Sequence, residues 1–326
     1  MKNVKILFKH HLSVWANLLI EAQNHSNAAE FLLTNNARTT LFYLEAITRV
    51  LGTMHDKKTF AKLNERFKLI EDSFGEVDYH QTWATDFAGN PKIPTAVLDS
   101  VTAQTSIALF KCNALLIEQG WLGKNASRLS KVKQLSKKID WLDDEKFSAN
   151  LYEFYQTEIS KITQQLGEPL DEIEAGVHEL RRDVRWLSIY PQAFKGFVTL
   201  KPARITAAKW NKYLTPKIVN SPFNQLTRAD DIAPIEMNAN AFYAMSWLID
   251  ALGTLKDQGL RLLELSKVWG EIEGVDAQEL ALAALGREQA SQAEILSAAR
   301  IVVAQVKRDL VLKSLLAVRR TARLTA

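Results

Sequence analysis

Apolar residues recur at spacings of three and four along most of this chain, the pattern of helices that bury one face. It predicts helices over residues 5–23, 28–52, 57–88, 95–119, 126–139, 143–166, 169–190, 239–270 and 289–323. No stretch alternates apolar and polar positions for long in β-branched residues, so the expected fold class is all-α. Five of the eight prolines, Pro191, Pro202, Pro216, Pro222 and Pro234, fall between Ile189 and the helix that begins near Met237. Proline lacks the amide proton a helix needs, which predicts irregular chain there with one short helix around 203–214.

One predicted helix concentrates charge. In "VHELRRDVRWLSIY", residues 177–190, with His178 at zero and about 100° per residue, Arg181, Arg185 and Arg182 fall at about 300°, 340° and 40°. Val177, Leu180, Val184 and Leu187 fall at about 180° to 260°, so that side can pack while a cationic stripe faces elsewhere. Charges at helical spacing ordinarily form a solvated face; Glu174 lies within the stripe, and Asp183 could also offset it in part. Asp171 is placed as an N-cap with Glu174 at capping-box spacing, and Pro191 as the end of the helix. Trp186, at about 80°, flanks the stripe.

With 326 residues, 47% of them hydrophobic, the chain can bury a sizeable core in about two domains. The first 22 residues lack the unbroken apolar core and small-residue cleavage site of a signal peptide. No apolar run reaches ~18 residues, so no membrane-spanning helix and no membrane partner are expected. The single cysteine, Cys112, excludes an intrachain disulfide and fits a cytoplasmic location.

The net charge of +4 conceals an uneven distribution. Residues 119–139 contain no acid but carry Lys124, Arg128, Lys131, Lys133, Lys137 and Lys138. Residues 184–229 are also free of acid and carry Arg185, Lys195, Lys201, Arg204, Lys209, Lys212, Lys217 and Arg228. Residues 310–326 add Lys313, Arg319, Arg320 and Arg323. If these windows meet in space, they form a positive region that attracts a polyanion.

The two halves of the chain share a weak repeat. "SFGEV" (73–77) matches "ALGTL" (251–255), each after an apolar helix containing "LIED" or "LID". Upstream, Arg38 falls opposite Arg181, Leu41 opposite Val184 and Leu44 opposite Leu187. This predicts two related helical bundles, residues 1–165 and 166–326.

The second half resembles the CHAD domains (conserved histidine α-helical domains). "HELRRDVRWL" supplies His178, Arg181, Arg182 and Arg185, and "LGTLKD" supplies Leu252, Gly253, Lys256 and Asp257, in that family's order. The first half departs from the pattern. Asn35 stands in place of the histidine, Thr39 and Phe42 replace basic residues, Asp78 and Tyr79 replace the basic-acidic pair, and only Arg38 is kept. The resemblance implies a basic cleft between two four-helix units that binds inorganic polyphosphate without catalysis. The expected anion-binding residues are His178, Arg181, Arg182, Arg185, Lys256, Arg38, Lys195, Arg128 and Lys131.

Sites of other chemistry are not evident. The chain has no Gly-rich phosphate loop, no nucleophile elbow, no His-Glu-x-x-His and no cysteine pair, so no catalytic residue, metal or cofactor is assigned. Cys112, on an apolar helix, reads as a core residue. His55–Asp56 raises an HD-type metal-dependent phosphohydrolase, but a capping or loop role suits its place after a helix end better. Glu76 and His80 are one turn apart without a second such pair, which argues against a di-metal carboxylate bundle. Nucleic acid is the rival ligand, because Trp186, Tyr190, Phe194, Phe197, Trp210, Tyr213 and Phe223 lie among the cations, where rings can stack bases or simply fill the core. A helical scaffold that has lost its ligand is a third reading.

Overall fold

The structure, a computed structural model, describes residues 2–202, 207–229, 232–286 and 290–316. The fold is all-α. In chain order the helices are α1 (Asn3–Ala22), α2 (Ala28–Thr34), α3 (Ala37–Met54), α4 (Lys57–Ala88), α5 (Thr95–Glu118), α6 (Arg128–Lys138), α7 (Asp144–Gln165), α8 (Glu179–Ala193), α9 (Pro216–Val219), α10 (Ala239–Glu273), α11 (Gln278–Leu285) and α12 (Gln292–Arg308). Two four-residue strands, β1 (Val198–Lys201) and β2 (Ile235–Asn238), pair in parallel, with Val198 opposite Ile235 and Lys201 opposite Asn238. They escaped the sequence pattern because four residues are too few to show alternation.

The chain packs as two compact units, one of Met1–Asp144 with Asp257–Ile295, the other of Glu145–Lys256 with Leu296–Ala326. By packing, α7 therefore belongs with the segments that follow it. Thirty-five residues of α10 extend for about 52 Å at 1.5 Å per residue, longer than one bundle needs, and the helix supplies its first part to the second unit and its last part to the first.

In the first unit α3 packs along α4, α4 along α5, and α1 against α3. The α4 side chains Phe60, Leu63, Phe67, Ile70, Phe74 and Val77, at alternating spacings of three and four, are all 0% exposed. Each contributes about 1.5–3 kcal/mol by leaving water. Two tryptophans close the core: Trp141 lies 5.3 Å from Phe8 and 5.8 Å from Phe60, and Trp121 lies 5.7 Å from Trp15 and 6.0 Å from Phe67. The helix predicted over 28–52 is two helices, broken at Asn36, whose φ of 59° is left-handed. Asparagine tolerates that conformation better than other non-glycine residues.

In the second unit Phe147 of α7 meets Phe194 at 5.1 Å and Phe197 at 4.8 Å, and Phe154 meets Tyr190 edge-on at 5.1 Å. Pro191 does not end α8, as the sequence suggested; it is buried in the last turn, and the helix closes at Phe194, whose N–H donates to the Tyr190 carbonyl. Pro216 opens α9 with its fixed φ, beneath a Thr215 hydroxyl that accepts from Ile218 N–H. The helix predicted over 289–323 is replaced by α12 and a 3-10 turn over Leu312–Ser314, followed at Leu316 by an antiparallel bridge to Met237. Residues 317–323 of that prediction lie outside the described residues.

Candidate functional site

The striped helix has the predicted inner face. Val177, Leu180, Val184 and Leu187 are 0%, 5%, 0% and 1% exposed. Its start differs from the prediction. Ile173–His178 is a π-helical turn in which Val177 N–H donates to the Glu172 carbonyl five residues back, so the 100° wheel applies only from His178 onward. No side-chain cap is made there, and Asp171, expected as the N-cap, instead accepts from Arg300 at 2.9 Å. Local π-turns are frequent at functional sites, and this one delivers His178 to the head of α8.

Arg181 lies across α10. Its Nε donates to the Ile249 carbonyl at 3.2 Å, and a Cβ added at Gly253 would stand 2.9 Å from that Nε. Glycine is what lets the guanidinium rest on the helix backbone at this point. His178 is next to this arginine on the helix face. Burial lowers the imidazole pKa first; Lys256 and Arg181 lower it further, and Glu174 and Glu179 oppose them. Its Nδ1 is 3.6 Å from the Glu174 carboxylate and has no hydrogen-bond partner among the described residues. Thus His178, Arg181 and Lys256 share one electrostatic neighbourhood. Arg182 is exposed and pairs with Glu179, one turn back. Arg185 is half-buried on the same helix. Asp183 is engaged elsewhere, accepting from Gln165 at 2.8 Å with Lys161 at 3.8 Å.

The first unit contains the same arginine-on-glycine contact with different surroundings. Arg38 on α3 rests on Gly75 of α4, where an added Cβ would be 3.0 Å from a guanidinium nitrogen. Its Nε donates to Glu71 at 2.7 Å and another nitrogen donates to Asp78 at 2.7 Å. Glu71 stands four residues before Gly75, as Ile249 stands before Gly253; Asp78 stands three after, as Lys256 does. Arg38 is thus held between a buried carboxylate, Glu71, and an exposed one, Asp78. The sequence named Arg38 but missed its partners, although Glu71 sits inside the "LIED" string.

The other expected anion contacts stand on other elements of the chain. Arg128 caps α5, donating to the Gln119 carbonyl at 2.7 Å, because the last carbonyls of a helix need donors. Lys131 is exposed on α6, in the first unit, and Lys195 is exposed beyond the end of α8. The acid-free window 184–229 loses much of its charge on folding, because acids distant in sequence reach its lysines. Lys201 meets Glu236, Lys212 meets Asp309, and Lys217 meets Asp250. Arg204, Arg319, Arg320 and Arg323 lie outside the described residues.

The aromatic rings among the cations are mostly core. Trp186, expected to flank the stripe, is 6% exposed and stacks on Tyr190 at 5.6 Å. Tyr190, Phe194, Phe197, Trp210 and Tyr213 are buried as well, and only Phe223 of the seven is exposed. Asp56 caps α4 by accepting from Thr59 N–H, and His55 ends α3. Cys112 is buried, which pushes its thiol pKa up to about 11 and leaves it protonated. No group of three or more His, Cys, Asp or Glu that could hold a metal ion occurs among the described residues, and no described helix is long and apolar enough to cross a membrane. No protein-family model matches this chain, and no curated protein matches it.

Proposed function

We propose that this chain is a non-catalytic polyanion-binding protein of CHAD type, and that the head of α8 takes inorganic polyphosphate. One observation supports the reading above the others: Arg181 is laid on Gly253 so that it shares a neighbourhood with His178 and Lys256. Cations collected at one point attract an anionic ligand. A phosphate chain offers repeated anionic oxygens without base edges, which suits forked guanidinium donors and a partly buried imidazole. Exposed Arg182 and half-buried Arg185 extend the cationic face along the helix.

The two arginine–glycine contacts, in the same order along α3–α4 and α8–α10, support descent of the two halves from one repeat. On this reading the first copy has become structural, with Glu71 and Asp78 taking the place of a ligand. The burial of six of the seven aromatic rings favours polyphosphate over single-stranded nucleic acid, which needs exposed stacking platforms.

The test is a titration of the protein with long-chain polyphosphate and with single-stranded DNA of equal charge, at 50 and 200 mM salt chosen to span about tenfold or more in affinity. Tighter binding of polyphosphate, steep loss with salt, and no release of phosphate with or without divalent metals are expected. Equal or tighter DNA binding would replace the ligand, and metal-dependent hydrolysis lost in His55→Ala would replace the reading with an enzyme.

A further inference from the structure

Helix α5 is apolar on its inner side and, beyond the exposed Asp99, on the opposite side as well. Its inner side buries Val97, Val101, Ala108, Cys112 and Leu116 against the first unit's core. On the outer side, Ala96, Ala103, Ile107, Phe110, Ala114 and Ile117 are all exposed, with Ile107, Phe110 and Ile117 at 52%, 75% and 58%. On a wheel of about 100° per residue these six fall within about 80°, centred roughly opposite the inner side. From Ala103 they repeat at four, three, four and three residues, the spacing of a coiled-coil seam and narrower than the stripe by which a helix packs into a globular core.

The order of sizes within the seam is its own mirror image. Reading from Ala103 to Ala114 gives small, large, large, small about a point between Ile107 and Phe110. A twofold-symmetric contact requires a self-complementary patch. Two α5 helices laid antiparallel about that point set Phe110 beside Ile107 of the second copy in both central layers, with Ala103 beside Ala114 on either side. In the same register Lys111, already held at 3.7 Å by Glu76 of its own chain, faces Gln104 of the second copy, so no like charges meet. A parallel pairing would stack phenylalanine on phenylalanine and alanine on alanine, in layers of unequal width.

We propose that α5 is a self-association surface and that the α5 of a second copy covers its outer face in antiparallel orientation. In this register residues 99–118 of each α5 overlap, over about 30 Å of length and about 12 Å of width, on the order of 350 Å² per copy. A stable dimer covers ~800 Å² per partner. The dimer is therefore weak and concentration-dependent.

Sedimentation of the full chain from about 5 to 300 µM, the range in which weak self-association is populated, tests the proposal. A monomer–dimer transition is expected in wild type, and Phe110→Glu, which changes a mostly exposed side chain, should move it up at least tenfold with an unchanged thermal midpoint. Orientation is read by cysteine cross-linking, for which buried Cys112 is a silent background. A mixture of Ala103→Cys and Ala114→Cys chains should form mixed disulfide dimers, whereas Ala103→Cys alone should not, its two copies being about 16 Å apart along the axis. A monomer throughout the range, a dimer indifferent to Phe110→Glu, or efficient cross-linking of Ala103→Cys alone would each overturn the proposal.

Discussion

Replacing Arg38 should destabilise the protein far more than an exposed arginine would. Its guanidinium donates to Glu71 at 2.7 Å, and the Glu71 side chain is only 8% exposed. Arg38→Ala leaves that carboxylate in the core beside Glu45, a second buried acid whose own pKa is already raised. Removing one partner of a buried pair costs about 3–5 kcal/mol. Arg38 is 30% exposed, so water entering the gap lowers the expected cost to about 2–4 kcal/mol. At about 2–4 °C per kcal/mol for a domain of this size, the apparent melting midpoint should fall by roughly 5–15 °C. The assay is thermal unfolding followed by circular dichroism at pH 7. Adding Glu71→Gln to Arg38→Ala should recover more than half of the loss, because it removes the stranded charge. A midpoint within about 2 °C of wild type, a change under about 1 kcal/mol, would refute the idea that this arginine is structural, and so would a double variant no more stable than the single one.

Other consequences follow from the same geometry. Glu45 is neutral in the folded protein up to about pH 7 but ionises near 4.5 when unfolded, chiefly because burial disfavours its charge and secondarily because of Glu71. Stability therefore falls as pH rises from 4.5 to about 7 and then levels. Glu45→Gln should add up to about 3 kcal/mol at pH 8 and almost nothing at pH 4, measured by urea unfolding. Gly253→Ala should displace Arg181 and weaken polyphosphate binding at least about threefold, whereas Gly75→Ala, which disturbs the Arg38 pair, should lower stability and leave binding unchanged, as read by calorimetry. Arg182→Glu, at an exposed position, should weaken polyphosphate binding at moderate salt and change the melting midpoint by less than about 4 °C, because Val177, Leu180, Val184 and Leu187 still pack.

Long-range features of the chain were legible where periodicity is strong. The bounds of α4 follow the apolar spacing to the residue, Lys57–Ala88, because a long helix repeats its pattern many times. The break at Asn36 was hidden, since apolar residues continue in phase on both sides of one left-handed residue. The π-turn before His178 was hidden for a similar reason, because one widened turn leaves the later spacing intact. Arg181 and Gly253 were both singled out in sequence, but their contact is a property of helix crossing, which spacing within a helix does not encode. Charge was read least well. Runs of lysine without acid in sequence are not runs without acid in space, as Lys201, Lys212 and Lys217 show by meeting Glu236, Asp309 and Asp250.

The central claim is that a polyanion sits beside His178, and the imidazole itself can report it. In the free protein its pKa lies below the usual 6.5, first through burial and then through Lys256 and Arg181. Protonating it therefore destabilises the empty fold as pH drops below 6.5, whereas a bound anion favours the charged ring, so affinity should rise as pH falls through that window. The deciding measurement is an NMR titration of the histidine rings with and without long-chain polyphosphate, assigned with His178→Gln. The account predicts that the His178 pKa rises on binding by about one pH unit, equivalent to about tenfold in affinity across the window. Binding of polyphosphate that leaves the His178 titration unchanged would contradict it and place the ligand elsewhere on the chain.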